Sequence, residues 1–299
     1  MALVTLVIGV IAASQASFAD DAVAADEQPF TNSLKTVMVW IAPGEIEADV
    51  RVIDPLPSKD SVSRRSIKVG RGFWLAATEA TRGQFKLFLD ETKHVPVSSR
   101  AIRGKTVTSV DSSTGGTVND AGAWDAPGFP QDDDHPVTTV NIEDAKAFCE
   151  WLSRRERKHY RLPNEDEWDF ALRSSPRKST KENLTDQSYR SRFPLRSQHA
   201  YDWDDGYVFT TPVGRFQTTK NGLFDMGGSV AEMTAPSEPD DSRLPVRAVF
   251  QGASWETDAQ HAWEGVRVYS RGIGMHPVFG FRVACDTERF VATEDGDTP

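Results

Sequence analysis

The tightest local constraint on the fold lies between Asn141 and Leu172, where the sequence specifies two helices in immediate succession. Asn141-Ile-Glu-Asp144 is an N-cap followed by an acidic first turn, which suits the positive end of a helix dipole. Ala145, Phe148, Cys149 and Leu152 then recur on one face. Arg161-Leu-Pro163 stops the chain, and Asn164-Glu-Asp-Glu167 restarts it with a second cap and a Glu at the third helical position. Trp168, Ala171 and Leu172 form the stripe of that second helix, with Trp168 large enough to anchor it on a sheet. The basic run Arg154, Arg155, Arg157 and Lys158 falls where the first helix ends and complements its dipole there.

Similar reasoning organises the rest of the chain. Val37–Ile41 reads as a strand closed by Pro43-Gly44, and residues 45–70 alternate only weakly. Gly72–Ala76 is a second apolar burst that leads into Thr81-Arg-Gly-Gln84, a capping box, with Phe85, Phe88 and Leu89 at helical spacing behind it. Residues 94–134 read as a long loop region, and 174–197 as a basic, polar, irregular insertion. Beyond them come short apolar runs separated by Gly and Pro, without an internal repeat. Eight Trp and sixteen Phe in 299 residues suit short strands packed on aromatic anchors. The expected class is α+β with little regular secondary structure.

A formal net charge of −10 and the lack of a dense basic stripe argue against a nucleic-acid partner. Leu3–Ala13 is apolar but too short to span a bilayer, and Ser17-Phe18-Ala19 follows with small residues at signal-peptidase positions. No Lys or Arg precedes that stretch. The expectation is a signal peptide over residues 1–19, a polar leader over 20–36, a domain over 37–287 and an acidic tail over 288–299. Such a protein is secreted or periplasmic, with no transmembrane segment once the signal is removed.

Five blocks then occur in order: His135–Leu152, Tyr160–Ala171, Gly222–Thr234, Gly252-Ala-Ser-Trp255 and Gly280-Phe-Arg-Val283. The set resembles the sulfatase-modifying-factor family, whose best-known member is the formylglycine-generating enzyme. The likeness runs from about Phe73 to Asp286, and Arg161–Trp168 is its most specific piece. It implies an irregular fold related to C-type lectins. By its own reading, Arg282 enters a core strand and pairs with a buried carboxylate.

Asp225 and Glu232 bracket a Gly-Gly turn, and carboxylate and carbonyl oxygens are what calcium requires. The resemblance implies calcium held by the Asp225 and Glu232 side chains and the Gly228 and Val230 carbonyls. Asp202–Tyr207 resembles the family's other calcium loop, with the Asp205 side chain and the Tyr207 carbonyl as ligands. Two departures stand out. The family's cysteine pair, whose thiolates bind Cu(I), falls on Thr257 and Ala262, and its active-site Trp falls on Ala231. No copper is therefore expected. The remaining pocket positions are Ser254, Trp255 and His261.

Cys149 and Cys285 are the only cysteines. In the family a cysteine on this helix can bridge to the position of Val283; Cys285 lies two residues on and so on the same side of the strand. The resemblance thus implies a Cys149–Cys285 disulfide, which an exported protein could oxidise.

Three functions remain open. In the first the pocket performs altered, non-copper chemistry, as in a pyoverdine-maturation relative, with Glu264 as acid or base and Glu256, Asp258 and His261 near it. The six His show no ligand spacing such as H-x3-H. In the second the domain is a non-catalytic, calcium-stabilised module binding a peptide, glycan or cell-surface partner through Trp255, Trp263 and Tyr269. The third is cysteine-independent formylglycine generation. The substrate is otherwise an unspecified peptide, glycan or small molecule. A deep cleft favours the enzyme and a flat or filled site the binding module.

Overall fold

The structure is a computed structural model that describes residues 27–55, 58–101, 109–110, 117–118, 122–179, 181–216, 218–238, 245–262, 265–271 and 274–289. The signal segment and most of the acidic tail lie outside the described residues, as do Trp263 and Glu264.

Two sheets form the frame. The first runs β1 (Phe30–Thr31), β2 (Val37–Ile41), β5 (Phe73–Ala76), β13 (Ala284–Arg289) and β8 (Lys158–Arg161). Its two central strands are the apolar bursts of the sequence: Phe73–Ala76 is buried at every residue, and Leu75 pairs with both Val39 and Ala284. Phe30–Thr31, expected in the leader, pairs with Val37 and Met38 and belongs to this sheet. The second sheet runs β12 (Phe279–Gly280), β9 (Ala231–Thr234), β10 (Ala248–Gln251), β11 (Val266–Ser270), β3 (Gly44–Pro55) and β4 (Ser58–Val69). β3 and β4 make a regular antiparallel ribbon over the weakly alternating residues. The pattern was faint for a physical reason: β4 is an edge strand, and of its central residues Val62 points out while serines and arginines fill the rest.

All three capping boxes form. Thr81, Asn141 and Asn164 accept from the backbone N–H three residues on, opening α1 (Arg82–Thr92), α3 (Ile142–Glu156) and α4 (Glu165–Arg173). Each such cap is worth about 1 kcal/mol. Arg154 and Arg155 occupy the last turn of α3, and Arg157 closes it in the left-handed region at φ 54°. The expected long loop holds a short helix, α2 (Val97–Ala101), and a small hairpin of β6 (Ser109–Val110) and β7 (Thr117–Val118). The expected irregular insertion contains α5 (Gln187–Arg192), capped by Asp186.

The core divides across the first sheet. Phe85, Phe88, Phe148 and Leu152 of α1 and α3 pack on one side with Phe281, Val283 and Cys285. Trp168 and Phe170 of α4 pack on the other with Leu75 and Ala284. Successive residues 283, 284 and 285 thus alternate sides, as strand geometry requires. Cys149 shares the first cluster with Cys285, and both are free, buried thiols. Burial raises the Cys149 thiol well above its ordinary range and pushes Cys285 up to about 12, so neither is a thiolate at neutral pH.

Candidate functional site

Arg282 lies between β12 and β13 with no exposed surface, and a buried guanidinium must find acceptors for its donors. Nε donates to Glu232 Oε2 at 2.6 Å and Nη2 to Glu232 Oε1 at 2.5 Å. The Ala76, Ala77 and Phe224 carbonyls accept the rest at 2.9–3.1 Å. Trp168 Nε1 adds a third donor to Glu232 at 2.9 Å. One ion pair therefore fastens β5, the 224 turn, α4 and β9 together, and the carboxylate expected for Arg282 is Glu232 itself.

That arrangement decides how well calcium would fit the Asp225–Glu232 turn. Glu232 is consumed by a cation and an indole N–H, and Asp225 accepts from the Gly214 and Phe216 backbone N–H groups at 2.5 and 2.9 Å. Arg282 already matches the Glu232 charge, so a calcium ion held by Asp225, Gly228, Val230 and Glu232 would have to displace that buried ion pair. Burial pushes Asp225 up to about 6 against those two N–H donors.

The Asp205 loop differs. Asp186, Asp204 and Asp205 bring carboxylate oxygens within 4.8 Å of one another. Their contacts are neutral donors: Asn183 Nδ2 to Asp205 Oδ2 at 3.0 Å, the Tyr207 N–H to Asp205 Oδ1 at 2.7 Å, and the Asp205 N–H to Asp186 Oδ2 at 2.7 Å. Burial, opposed by the Tyr207 N–H and reinforced by Asp186, pushes Asp205 up to about 7. Convergent carboxylates with only neutral donors against them among the described residues suit a hard, oxygen-seeking ion.

The family's copper position is a turn without thiols. Thr257 Oγ1 accepts from the Ser254 N–H at 3.0 Å and lies 3.2 Å from Ser254 Oγ, a local hydroxyl turn. Trp255, weighed as a recognition residue, is buried in an aromatic cluster with Tyr189, Phe129 and Phe209. Tyr269 is half-buried and donates to Glu165 Oε2 at 3.2 Å. Asp258 Oδ1 holds His261 Nδ1 at 2.6 Å and also caps the turn by accepting from the His261 and Gln260 N–H groups. The Asp258 side chain is 18% exposed and His261 65%, so the pair sits at the surface with the imidazole outward. Ala262 follows and lines a cavity of about 170 Å³ with Tyr201, Arg177, Met226 and Gly252. The Tyr201 ring stacks on Trp203 at 4.0 Å.

Under this cavity runs a segment the sequence did not mark. Glu182–Asp186 is buried throughout and passes beneath the Gly227-Gly228 turn: a Cβ on Gly228 would stand 2.5 Å from the Asn183 carbonyl oxygen. Burial pushes Glu182 up to about 8, and only Thr218 Oγ1, at 2.9 Å, donates to it among the described residues.

With this geometry in hand, the chain can be set beside known proteins. The sulfatase-modifying factor enzyme 1-like domain model matches residues 23–287, so the chain belongs to that family. It is 29% identical over 200 residues to the formylglycine-generating enzyme of Mycobacterium tuberculosis, covering 55% of this chain and 63% of that one. It is 33% identical over 169 residues to the inactive C-alpha-formylglycine-generating enzyme 2 of Mus musculus, covering 52% and 50%. The chain thus spans less than two thirds of either relative. Among solved structures it resembles PvdO from Pseudomonas aeruginosa with a TM-score of 0.60 at 21% identity, covering 87% of this chain and 98% of that one. This last likeness speaks to fold, and it agrees with the α+β architecture.

Proposed function

We propose that this chain is an exported enzyme of the formylglycine-generating-enzyme fold in which acid–base chemistry stands where the copper–thiolate chemistry of its relatives would be. The observation that carries the reading is the pair of side chains at the family's cysteine positions: a hydroxyl fixed in a turn and a methyl, with a carboxylate–imidazole pair between them in sequence. Cu(I) is a soft ion, and Thr257 and Ala262 offer it no thiolate. Asp258 instead fixes the His261 tautomer through Nδ1 and leaves Nε2 open to take or give a proton. Glu264, two residues beyond the cavity-lining Ala262, is the partner acid in this scheme.

The cavity supports an enzyme over a flat recognition surface. The binding-module reading has one specific support, the mouse relative named as inactive. Calcium belongs to the proposal at Asp205, joined by Asp186 and Asp204 and the Tyr207 carbonyl, where it would neutralise converging carboxylates. So does the Cys149–Cys285 bond, which non-reducing peptide mapping of protein from an oxidising compartment should detect; two freely alkylated thiols there would refute it.

The decisive experiment incubates the mature protein with copper, oxygen and a Cys-x-Pro-x-Arg peptide. No aldehyde is expected by mass spectrometry, and no tight Cu(I) binding. Robust aldehyde formation would overturn the reading of Thr257 and Ala262.

A further inference from the structure

β4 carries an open backbone edge. It is 12 residues long, about twice the usual strand, and among the described residues it pairs only with β3. Their register runs unbroken from the Pro55–Ser58 pair to the Gly44–Val69 pair. Arg51, opposite Val62, turns its N–H to the other side and donates to the Gly265 carbonyl at 3.1 Å. Opposed residues of an antiparallel ladder exchange both backbone bonds or neither, and the two kinds alternate. Val62 therefore points its N–H and C=O away from β3, and so do Asp60, Arg64, Ser66 and Lys68. Such a row is a template for a further strand.

The side chains along the row set the sign of what it accepts. Asp60 is the single acid of β4, and Arg51 of β3 holds it through Nε at 2.8 Å and Nη2 at 2.6 Å. Lys59, Arg64, Arg65 and Lys68 are all exposed. Arg64 reaches Glu47 and Asp49 only at 3.9 and 3.7 Å, and the other three form no ion pair among the described residues. Arg64 and Lys68 stand on one face of the strand and Lys59 and Arg65 on the other, so the edge is basic on both sides. A second copy of β4 would set cations against cations, one of the ways in which natural edges avoid self-association. In a chain of net charge −10 this strip is local, and it is complementary to an extended acidic segment. The row of backbone donors and acceptors selects a polypeptide over other polyanions.

We propose that β4 takes up an acidic polypeptide segment of a partner as an added strand, whose backbone bonds the row from Asp60 to Lys68 and whose carboxylates meet Lys59, Arg64, Arg65 and Lys68. Main-chain bonds give such a contact its affinity, and the alternating side chains give it selectivity. β4 is the end strand of the second sheet, and the assignment is independent of which chemistry the cavity beside Ala262 performs.

Binding of the capped peptide Glu-Thr-Glu-Val-Glu-Thr-Glu to the full chain, read by amide hydrogen exchange in NMR, tests it. The peptide is expected to bind saturably, about tenfold more tightly than its Gln-for-Glu analogue, the worth of a few exposed charge pairs, and more weakly as salt rises. It should slow exchange at Val62, Arg64, Ser66 and Lys68 and leave Ser63 and Arg65, already bonded to β3, nearly unchanged. Its fully N-methylated form keeps the charge but cannot donate to the edge, and should not bind. These comparisons need no variant of the protein. No saturable binding, equal affinity of the Glu and Gln peptides, or equal binding of the N-methylated form each overturns the proposal. So does slow exchange at the outward amides of the free protein, which would mean that the edge is already covered: by the chain itself where protection is independent of protein concentration, by a second copy where it rises with concentration.

Discussion

Glu232 and Asp205 each belong to an acidic turn and each carries a calcium expectation, yet the fold surrounds them differently. Glu232 is 1% exposed and receives a full guanidinium fork and an indole N–H. Asp205 is half-buried beside Asp186 and Asp204 and receives only an amide and a backbone N–H. A carboxylate already matched to Arg282 gains nothing from a metal; three carboxylates held by neutral donors repel one another until a cation or a proton arrives. Residue type does not separate the two turns. The position of one arginine, fifty residues along the chain, does.

The largest effect expected from breaking this contrast is at Arg282. Arg282→Met leaves Glu232 buried and uncompensated, which should cost about 3–5 kcal/mol in urea unfolding. A loss under about 1 kcal/mol would mean that Glu232 finds another partner, reopening its turn to a cation.

Calcium comes next in size. Chelation should lower the melting temperature of the parent protein, and calcium at about a hundred times its Kd should restore roughly 2.7 kcal/mol. Asp205→Asn should lose this response, whereas Glu232→Gln, although less stable, should keep it. The opposite pattern would place the cation at the Glu232 turn instead of at Asp205.

These contrasts also show what could be read without coordinates. The three capped helices, the strands at Val37 and Phe73 and the family blocks were legible because caps and periodic apolar residues are local signals. The sequence also indicated that Arg282 needs a buried carboxylate, but not that the carboxylate is Glu232, since their pairing depends on how β9 meets the entry to β13. The β3–β4 ribbon was missed because an edge ribbon with solvent on its outer residues shows little alternation. Glu182 and Glu79 were invisible for a related reason. Both lie in polar-looking stretches and both are buried, with Glu79 raised well above the usual carboxylate range by burial and then by Asp225. Nothing in a polar run announces that another segment will pass over it.

The smallest predicted effect concerns Glu182 and sharpens the contrast with Glu232, since this buried carboxylate meets Arg177 at 3.6 Å where Glu232 meets Arg282 at 2.5 Å. Burial leads the rise of Glu182 from 4.5 to about 8 and Asp225 adds to it, while Thr218, Arg177 and Arg282 oppose. Below the unfolded value both states hold the proton, and the pair is indifferent to pH. Between there and about 8 the folded chain keeps a proton that the unfolded chain has released, so stability falls as pH rises, by at most about 1.4 kcal/mol per unit. From pH 7 to 8 this amounts to about 1 kcal/mol. Glu182→Gln still accepts from Thr218 but cannot titrate, so its stability curve should be flatter by that amount in denaturant titrations at the two pH values. Parallel curves would mean that Glu182 is already ionised at neutral pH.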